Sequence, residues 1–420
     1  MTLPQPSDRI DRPAPSLDRC RGSCHRGTAR GRWAQRFVLL WLCLLVAAGG
    51  VAAAEQTPPL RDYAVDMWTS RNGLPHNSLR GIAQTPEGHL WFATWEGVAR
   101  YNGLDFDLYD RSTRPGLLDN GIGALYVDRD GALWVSDSRG NVLRRTLDGR
   151  WRQWPQHPPA PKVLIQAMQK DSKGRLWLLY EGRGLGYLAA DGRMVYEPPQ
   201  PGAQVNMTLS NWLAVDDKDR VWVGTMDGLK LRGDDGVLRD APAALGLPPG
   251  PAWPYRAPDG VVWIVTDGAL YRMQSGGARR VHVLPGVSHT TAMLQDRHGD
   301  LWLGTENQGL YRIGSHGVER LPNSRQMQNG RITSLMEDAE GSIWVGGNGG
   351  LYRLRETLFT SYTTRDGLSG DYVRAVIEDD QRRLWIGGAA GLDRMEHDGR
   401  IVPVPLRNSV GKAPSVLSVI

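Results

Sequence analysis

The chain has 420 residues, with 50 Lys+Arg, 45 Asp+Glu, 51 Gly, 16 Trp, 4 Phe and 3 Cys. Glycine near 12%, against a usual ~7%, together with an ordinary 23% of charged residues, excludes the collagen-like, disordered and disulfide-scaffold classes. The net charge of +5 comes from the first 54 residues, eight Arg to three Asp; residues 55–420 hold 42 basic and 42 acidic side chains and give no electrostatic reason to bind a phosphate backbone.

The chain opens with a leader. Arg30, Arg32 and Arg36 precede the apolar run Phe37–Val46 and a small-residue stretch closing on Ala52-Ala-Ala54. That order of basic, apolar and small residues predicts a secretory signal peptide over 1–54 with a long basic region, cleaved in preference to serving as a membrane anchor. All three cysteines (Cys20, Cys24, Cys43) lie in it, so the exported body has none.

From Glu87 onward one phrase recurs: an acidic turn, Gly, an aliphatic residue, Trp, an aliphatic residue, two small residues, a polar loop and Gly-Leu. Its tryptophans are Trp91, Trp134, Trp177, Trp222, Trp263, Trp302, Trp344 and Trp385, spaced 39 to 45 residues apart. An alternating apolar run precedes each turn, as in Ile332–Glu337, and a second buried strand carries the Trp. Four short antiparallel strands per ~40–45 residues is the arithmetic of an all-β propeller blade, with the Trp packed between blades. Asp128-Arg-Asp130-Gly131 and Asp296-Arg-His-Gly-Asp300 have the look of calcium loops but lack the further oxygen ligands, so they read as hairpin turns, and no metal or cofactor is expected.

A longer match sets the blade count. Trp68-Thr-Ser-Arg-Asn-Gly-Leu74 reappears as Tyr362-Thr-Thr-Arg-Asp-Gly-Leu368, 294 residues later, the same offset as Trp91 to Trp385. The phrase reads as the opening of a propeller, occurring twice. Residues 55–358 are then a seven-bladed ring closed by a strand near Tyr63–Trp68, and 359–420 hold the first blade and one strand of a second, incomplete propeller. On this reading the sequence is part of a longer product. The rival is a single eight-bladed ring with a short tail.

These residues resemble the two-component regulator propeller repeats of exported bacterial sensor regions. Gly73-Leu-Pro-His-Asn-Ser78, Gly88-His-Leu-Trp-Phe92 and Gly97-Val-Ala-Arg-Tyr-Asn-Gly103 match that family's first blade, and the similarity runs over nearly all of 58–420. The resemblance implies a periplasmic ligand-sensing region without catalysis of its own, inside a membrane-anchored, self-associating protein with a histidine kinase or GGDEF-type output. Blades 2 and 3 depart from the pattern at Ser136-Asp137 and Leu179-Tyr180.

Loops leading into each innermost strand, and those between second and third strands, share one face of a propeller, where ligands gather near the channel. That places His76, Asn77, Trp95, Glu96, Asn120, Asn211, Trp212, Met226, Asp227, Trp253, Tyr255, His289, Glu306, Asn307, Gln328, Asn329 and Asn348 as candidates. Aromatic faces beside Asn, Asp and Glu suit a saccharide or another small molecule, although the same residues are ordinary turn formers. Trp95, Trp212 and Trp253 lie outside the blade-core Trp position; His76 belongs to the opening phrase and reads first as structural. The enzymatic alternative is a ring similar to streptogramin lyases, with His289 and Glu306 as the acid–base pair. A plain protein-binding propeller is the third reading.

Overall fold

The computed structural model describes residues 57–420 apart from 114–116, 155–159, 200–211, 276, 322–329, 358–360, 408–413 and 420. The leader, Asn211, Gln328 and Asn329 fall outside the described residues. The described chain is strands joined by turns, with three short 3-10 segments.

The innermost strands of blades 1 to 7 are Leu79–Gln84, Ile122–Val127, Ile165–Lys170, Leu213–Val215, Ala252–Arg256, Thr290–Gln295 and Ile332–Glu337. Each heads an antiparallel blade and lies beside the innermost strand of the next, and Ile332–Glu337 meets Leu79–Gln84 to complete the circle. Blades 4 and 5 are also bonded to each other through one pair, Thr225 with Ala252. Blade 7 takes its outer strand from the other end of the ring. Tyr63–Trp68 pairs antiparallel with Gly350–Glu356, Tyr63 opposite Glu356 and Trp68 opposite Leu351. Asp66 fastens this closure, accepting from Arg353 at 2.8 Å and from Arg355 at 3.1 Å. Radial closure of this kind leaves each ring blade with its innermost edge protected by the neighbouring blades.

The second strand of each ring blade is buried along its whole length, and the repeat Trp sits in it. A buried indole N–H needs an acceptor, and the residue six positions before the Trp supplies one. Asp171, Asp216, Asp296, Asp338 and Asp379 accept from Trp177, Trp222, Trp302, Trp344 and Trp385 at 2.7–2.9 Å. Asp128 does so for Trp134 at 3.3 Å and Thr85 for Trp91 at 3.1 Å. The other carboxylate oxygen takes backbone N–H groups of the turn, as Asp338 does from Glu340 and Ser342. These acidic turns are therefore caps for the hairpin and the indole, with Asp128 also receiving Lys170 of the next blade at 2.6 Å. Blade 5 has Ala257 at this position, and the Trp263 indole N–H has no partner.

Most of these turns pass through a glycine in the left-handed region, such as Gly341 at φ 92°. Blades 4 and 8 place Asp219 (φ 59°) and Arg382 (φ 57°) there instead. The phrase that occurs twice folds twice. Thr69 N–H donates to the Asn72 side chain and Ser70 N–H to Asn77 Oδ1; 294 residues on, Thr363 N–H donates to Asp366 and Thr364 N–H to Asp371 Oδ1.

The eighth blade, with innermost strand Val373–Glu378, stands outside the ring's strand circle. Val376 is 57% exposed, whereas its ring counterparts line the channel. A Cβ built on Gly346 of blade 7 would meet Leu79 and Ile82 of blade 1; one built on Gly387 would meet Val416 and Val419. Residues 416–419 thus lie against blade 8 as blade 1 lies against blade 7.

Two predictions follow from the blade chemistry. Asp338→Ala strands one indole and two turn N–H groups and lowers stability by about 2–5 kcal/mol in chemical denaturation, while Ala257→Asp supplies the missing acceptor and raises it by about 1–2 kcal/mol. Burial alone would raise the Asp66 carboxyl, but hydrogen bonds from Arg353 and Arg355 hold it below its ordinary value. Its stabilising effect is accordingly complete above the unfolded value of ~3.9 and lost as pH falls through the lower folded one. Asp66→Asn should lower the neutral-pH melting temperature and flatten its fall between about pH 4 and pH 2.

Candidate functional site

The innermost strands surround a central cavity of about 260 Å³. Strand alternation turns one residue per blade toward its middle, giving an apolar girdle of Ile82, Leu125, Met168, Leu213, Pro254, Met293 and Leu335. Above the girdle, blades 1, 2, 3, 6 and 7 each carry a β-bulge at the second residue of the innermost strand. A bulge re-aims a side chain, and these are Arg80, Gly123, Gln166, Thr291 and Thr333. Thr291 and Thr333 use their hydroxyls to donate to the next blade, at the carbonyls of Ile332 and Leu79. Gly123 is small because a Cβ there would lie 2.4 Å from the carbonyl oxygen of Ile165, the matching atom of blade 3.

Below the girdle a second set of stitches runs the same way round. Gln169 Oε1 accepts from Val215 N–H at 2.7 Å, and the Tyr255 hydroxyl accepts from Gln295 N–H at 3.0 Å. Burial pushes the Tyr255 hydroxyl up to about 12, with the Gln295 bond pulling the other way. The phenol stays protonated at any physiological pH. The wall of the channel is thus held by side-chain to backbone bonds between successive blades.

At the mouth, the Arg80 guanidinium lies over the ring of Trp95, 5.2 Å from its centroid. Burial pulls the pKa of Arg80 below its usual value, the charge of Glu181 opposes that fall, and Arg331 adds to it. Arg331 pairs with Glu306 at 3.6 Å, and Ser78 donates to Asn348 at 3.0 Å on the same rim. Trp95 is 41% exposed and Glu96, Asn307 and Asn348 are exposed with it. An aromatic face, two guanidinium groups and two carboxylates here surround the opening of an apolar channel.

Other candidates have local duties. The His76 ring accepts from Ser78 N–H at 3.0 Å, Asn77 caps the opening turn, and Asn120 Oδ1 accepts from Arg111 N–H at 3.1 Å. Asp227 lies exposed in a turn whose backbone is tied to Thr225, and Met226 packs partly buried against the blade 5 core. Trp212 and Trp253 correct the expectation of open stacking platforms. They are 3% and 2% exposed, pack against one another at 5.8 Å, and belong to the core formed mainly by blades 5 and 6. His289 and Glu306 meet through the backbone, Glu306 N–H to the His289 carbonyl at 3.0 Å. Their side chains turn elsewhere, His289 to Ser288 and Glu306 to Arg331.

Blade 2 shows what Ser136-Asp137 does in place of Gly-Thr. In blades 1, 4 and 6 the Thr hydroxyl ties the following loop to the carbonyls of Gly97, Gly228 and Gly309. In blade 2 the fully buried Asp137 does this work, accepting from Arg139 and Asn141 N–H groups at 3.0 Å. The bulge-derived rim, with Arg80 and Gln166, escaped the sequence reading because a bulge inside an apolar run leaves no compositional mark. Among the described residues no group of three or more His, Cys, Asp or Glu is placed to hold a metal ion, and no helix is long and apolar enough to cross a membrane.

Fold and rim define a β-propeller of four-stranded blades with a lined central channel. Five of its blades match the two component regulator propeller repeat: the family model covers residues 73–96, 116–139, 284–307, 326–349 and 367–390, in blades 1, 2, 6, 7 and 8. No curated protein matches the chain in sequence. Among solved structures, the extracellular domain assigned to a hybrid two component system, BT3049 of B. thetaiotaomicron, is similar at 20% identity and TM-score 0.67, over 83% of this chain and 51% of that one. The extracellular domain of BT4673 from the same organism follows at 19% identity and TM-score 0.53, over 83% and 48%. A streptogramin B lyase is similar at 16% identity and TM-score 0.56, over 72% of this chain and all of the lyase. At these identities the likeness is one of fold. The chain spans about half the length of the two extracellular domains.

Tyr255→Phe tests the lower stitches: it removes the acceptor of Gln295 N–H and should cost about 1–3 kcal/mol, with amide exchange at Gln295 accelerating before that of the outer strands.

Proposed function

We propose that this chain is the exported sensory region of a bacterial signal-transduction protein, and that its ring receives a small molecule or saccharide at the Trp95–Arg80 rim. The reading is carried by the pair of opening turns, which form the same bonds 294 residues apart. Two ring openings in tandem suit a pair of propellers, and a single-ring enzyme has no use for the second. The exposed apolar strand of blade 8 and the placing of 416–419 support a second ring there. Similarity of fold to extracellular domains about twice as long points the same way. Ligand capture acts on the output by changing how two copies associate, which requires unequal affinity for the two arrangements.

Two measurements test this. Alkaline phosphatase fused after residue 407 should be active, since the enzyme matures only outside the cytoplasm; an inactive fusion of normal abundance would refute export. In the native host, deleting residues 57–357 from the chromosomal copy should abolish the transcriptional or second-messenger response to at least one nutrient in a carbon-source panel. An unchanged response to every nutrient would refute sensing.

A further inference from the structure

The charge of the central cavity is one-sided. Arg80 lines it from the rim and Arg256, the last residue of its strand, from the far end of the blade 5 wall; no Asp or Glu is among the described residues that line it. Glu181 and Arg331 act on Arg80, but neither lines the cavity. Between the two guanidinium groups runs the apolar girdle. Three lining polar atoms are buried without a hydrogen-bond partner: Arg256 Nε, Trp212 Nε1 and Ser334 Oγ. Two of these are donors on cationic or neutral groups, the third is a hydroxyl, and Trp212 is itself 3% exposed.

A buried donor without a partner is costly. The three atoms lie beneath the cavity surface, and Trp263 Nε1 away from the cavity is likewise without a partner, so the charge of the lining comes from the two guanidinium groups. Two guanidinium groups on one cavity whose described lining holds no carboxylate favour an anion. The apolar middle, however, offers nothing to a bare inorganic ion, and it suits a hydrocarbon body. The volume of about 260 Å³ equals that of roughly eight or nine waters, which fits a molecule of about ten non-hydrogen atoms.

We propose that the central channel of the ring is a binding site for a small organic carboxylate, its charged group on Arg80 or Arg256 and its carbon chain within the girdle. The site stands whether or not the ring is a sensor. If it is one, the carboxylate is a ligand that the rim admits.

Calorimetric titration of the full chain tests it, using glutarate and hexanoate as probes and glutaramide and inorganic phosphate as controls. At least one carboxylate should bind below about 1 mM, with glutaramide and phosphate weaker by about tenfold or more. Arg256→Gln or Arg80→Gln should weaken the carboxylate by about tenfold, and Arg256→Lys by less. Met168→Trp keeps both arginines and fills the girdle, so it should abolish binding in a variant whose melting curve shows a folded ring. The proposal falls if neither carboxylate binds at about 10 mM. It also falls if the amide or phosphate binds equally well, or if a folded Met168→Trp binds as the parent does.

Discussion

The bond from six of the eight repeat indoles to the Asp six residues earlier is what the remaining architecture hangs on. A Trp is the one side chain large enough to fill the wedge between neighbouring blades, yet burying it buries an N–H as well. The Asp that receives that N–H also takes turn amides, so one carboxylate fixes hairpin, strand register and inter-blade packing at once. Register matters because a one-residue slip would carry the girdle residues away from the channel. In most blades a cross-strand Arg then covers the indole face, as Arg353 covers Trp344 at 5.4 Å and Arg394 covers Trp385 at 5.6 Å. Blades 3 and 4 have Tyr187 and Leu231 at that position, and Arg175 and Arg220 from the turn take over.

With the outer architecture settled by a local rule, the inner wall is free to differ from blade to blade. The bulge position shows this. Two blades spend it on threonines that stitch to the next carbonyl, one on a glycine that lets the next carbonyl in, and two on Arg80 and Gln166, which line the cavity. Repeats of nearly constant length therefore enclose a channel with no sevenfold chemistry. The irregularity concentrates in blades 3 to 5, which the family model does not match. There Ala257 replaces the capping Asp, Pro254 sits in an innermost strand, and Trp212 and Trp253 occupy the seam.

Period and phrase made the blades legible in the sequence, because each blade repeats the same local contacts. The N-terminal strand was legible too, since Trp68–Leu74 and Tyr362–Leu368 are near copies and an opening phrase must stand at a ring's seam. The candidate site was read less well, for a physical reason. Loop residues such as His76, Asn77 and Asn120 are polar both when they bind ligands and when they cap turns, and here they cap turns. Trp212 and Trp253 looked surplus to the blade core because the repeat already supplied one Trp per blade. The core between blades 5 and 6 simply uses more than one. The cavity charge depends on Arg80 and Arg256 converging from strands 176 residues apart, which no short motif encodes.

Blade 8 shows by contrast what the ring contributes. Its turn, its Asp379–Trp385 bond and its strand pairings are those of a ring blade. Yet Trp385 is only half-buried, and Tyr372, Val373 and Val376 face solvent at 67%, 40% and 57% exposure. Local chemistry is thus sufficient to form a blade and insufficient to bury it. Burial of the innermost strand comes only from neighbours on both sides, at roughly 25 cal/mol for each Å² of apolar surface covered. Closure by Tyr63–Trp68 supplies the last such neighbour to the first ring, so the strand that seals blade 7 also completes the channel wall on which any ligand must rest.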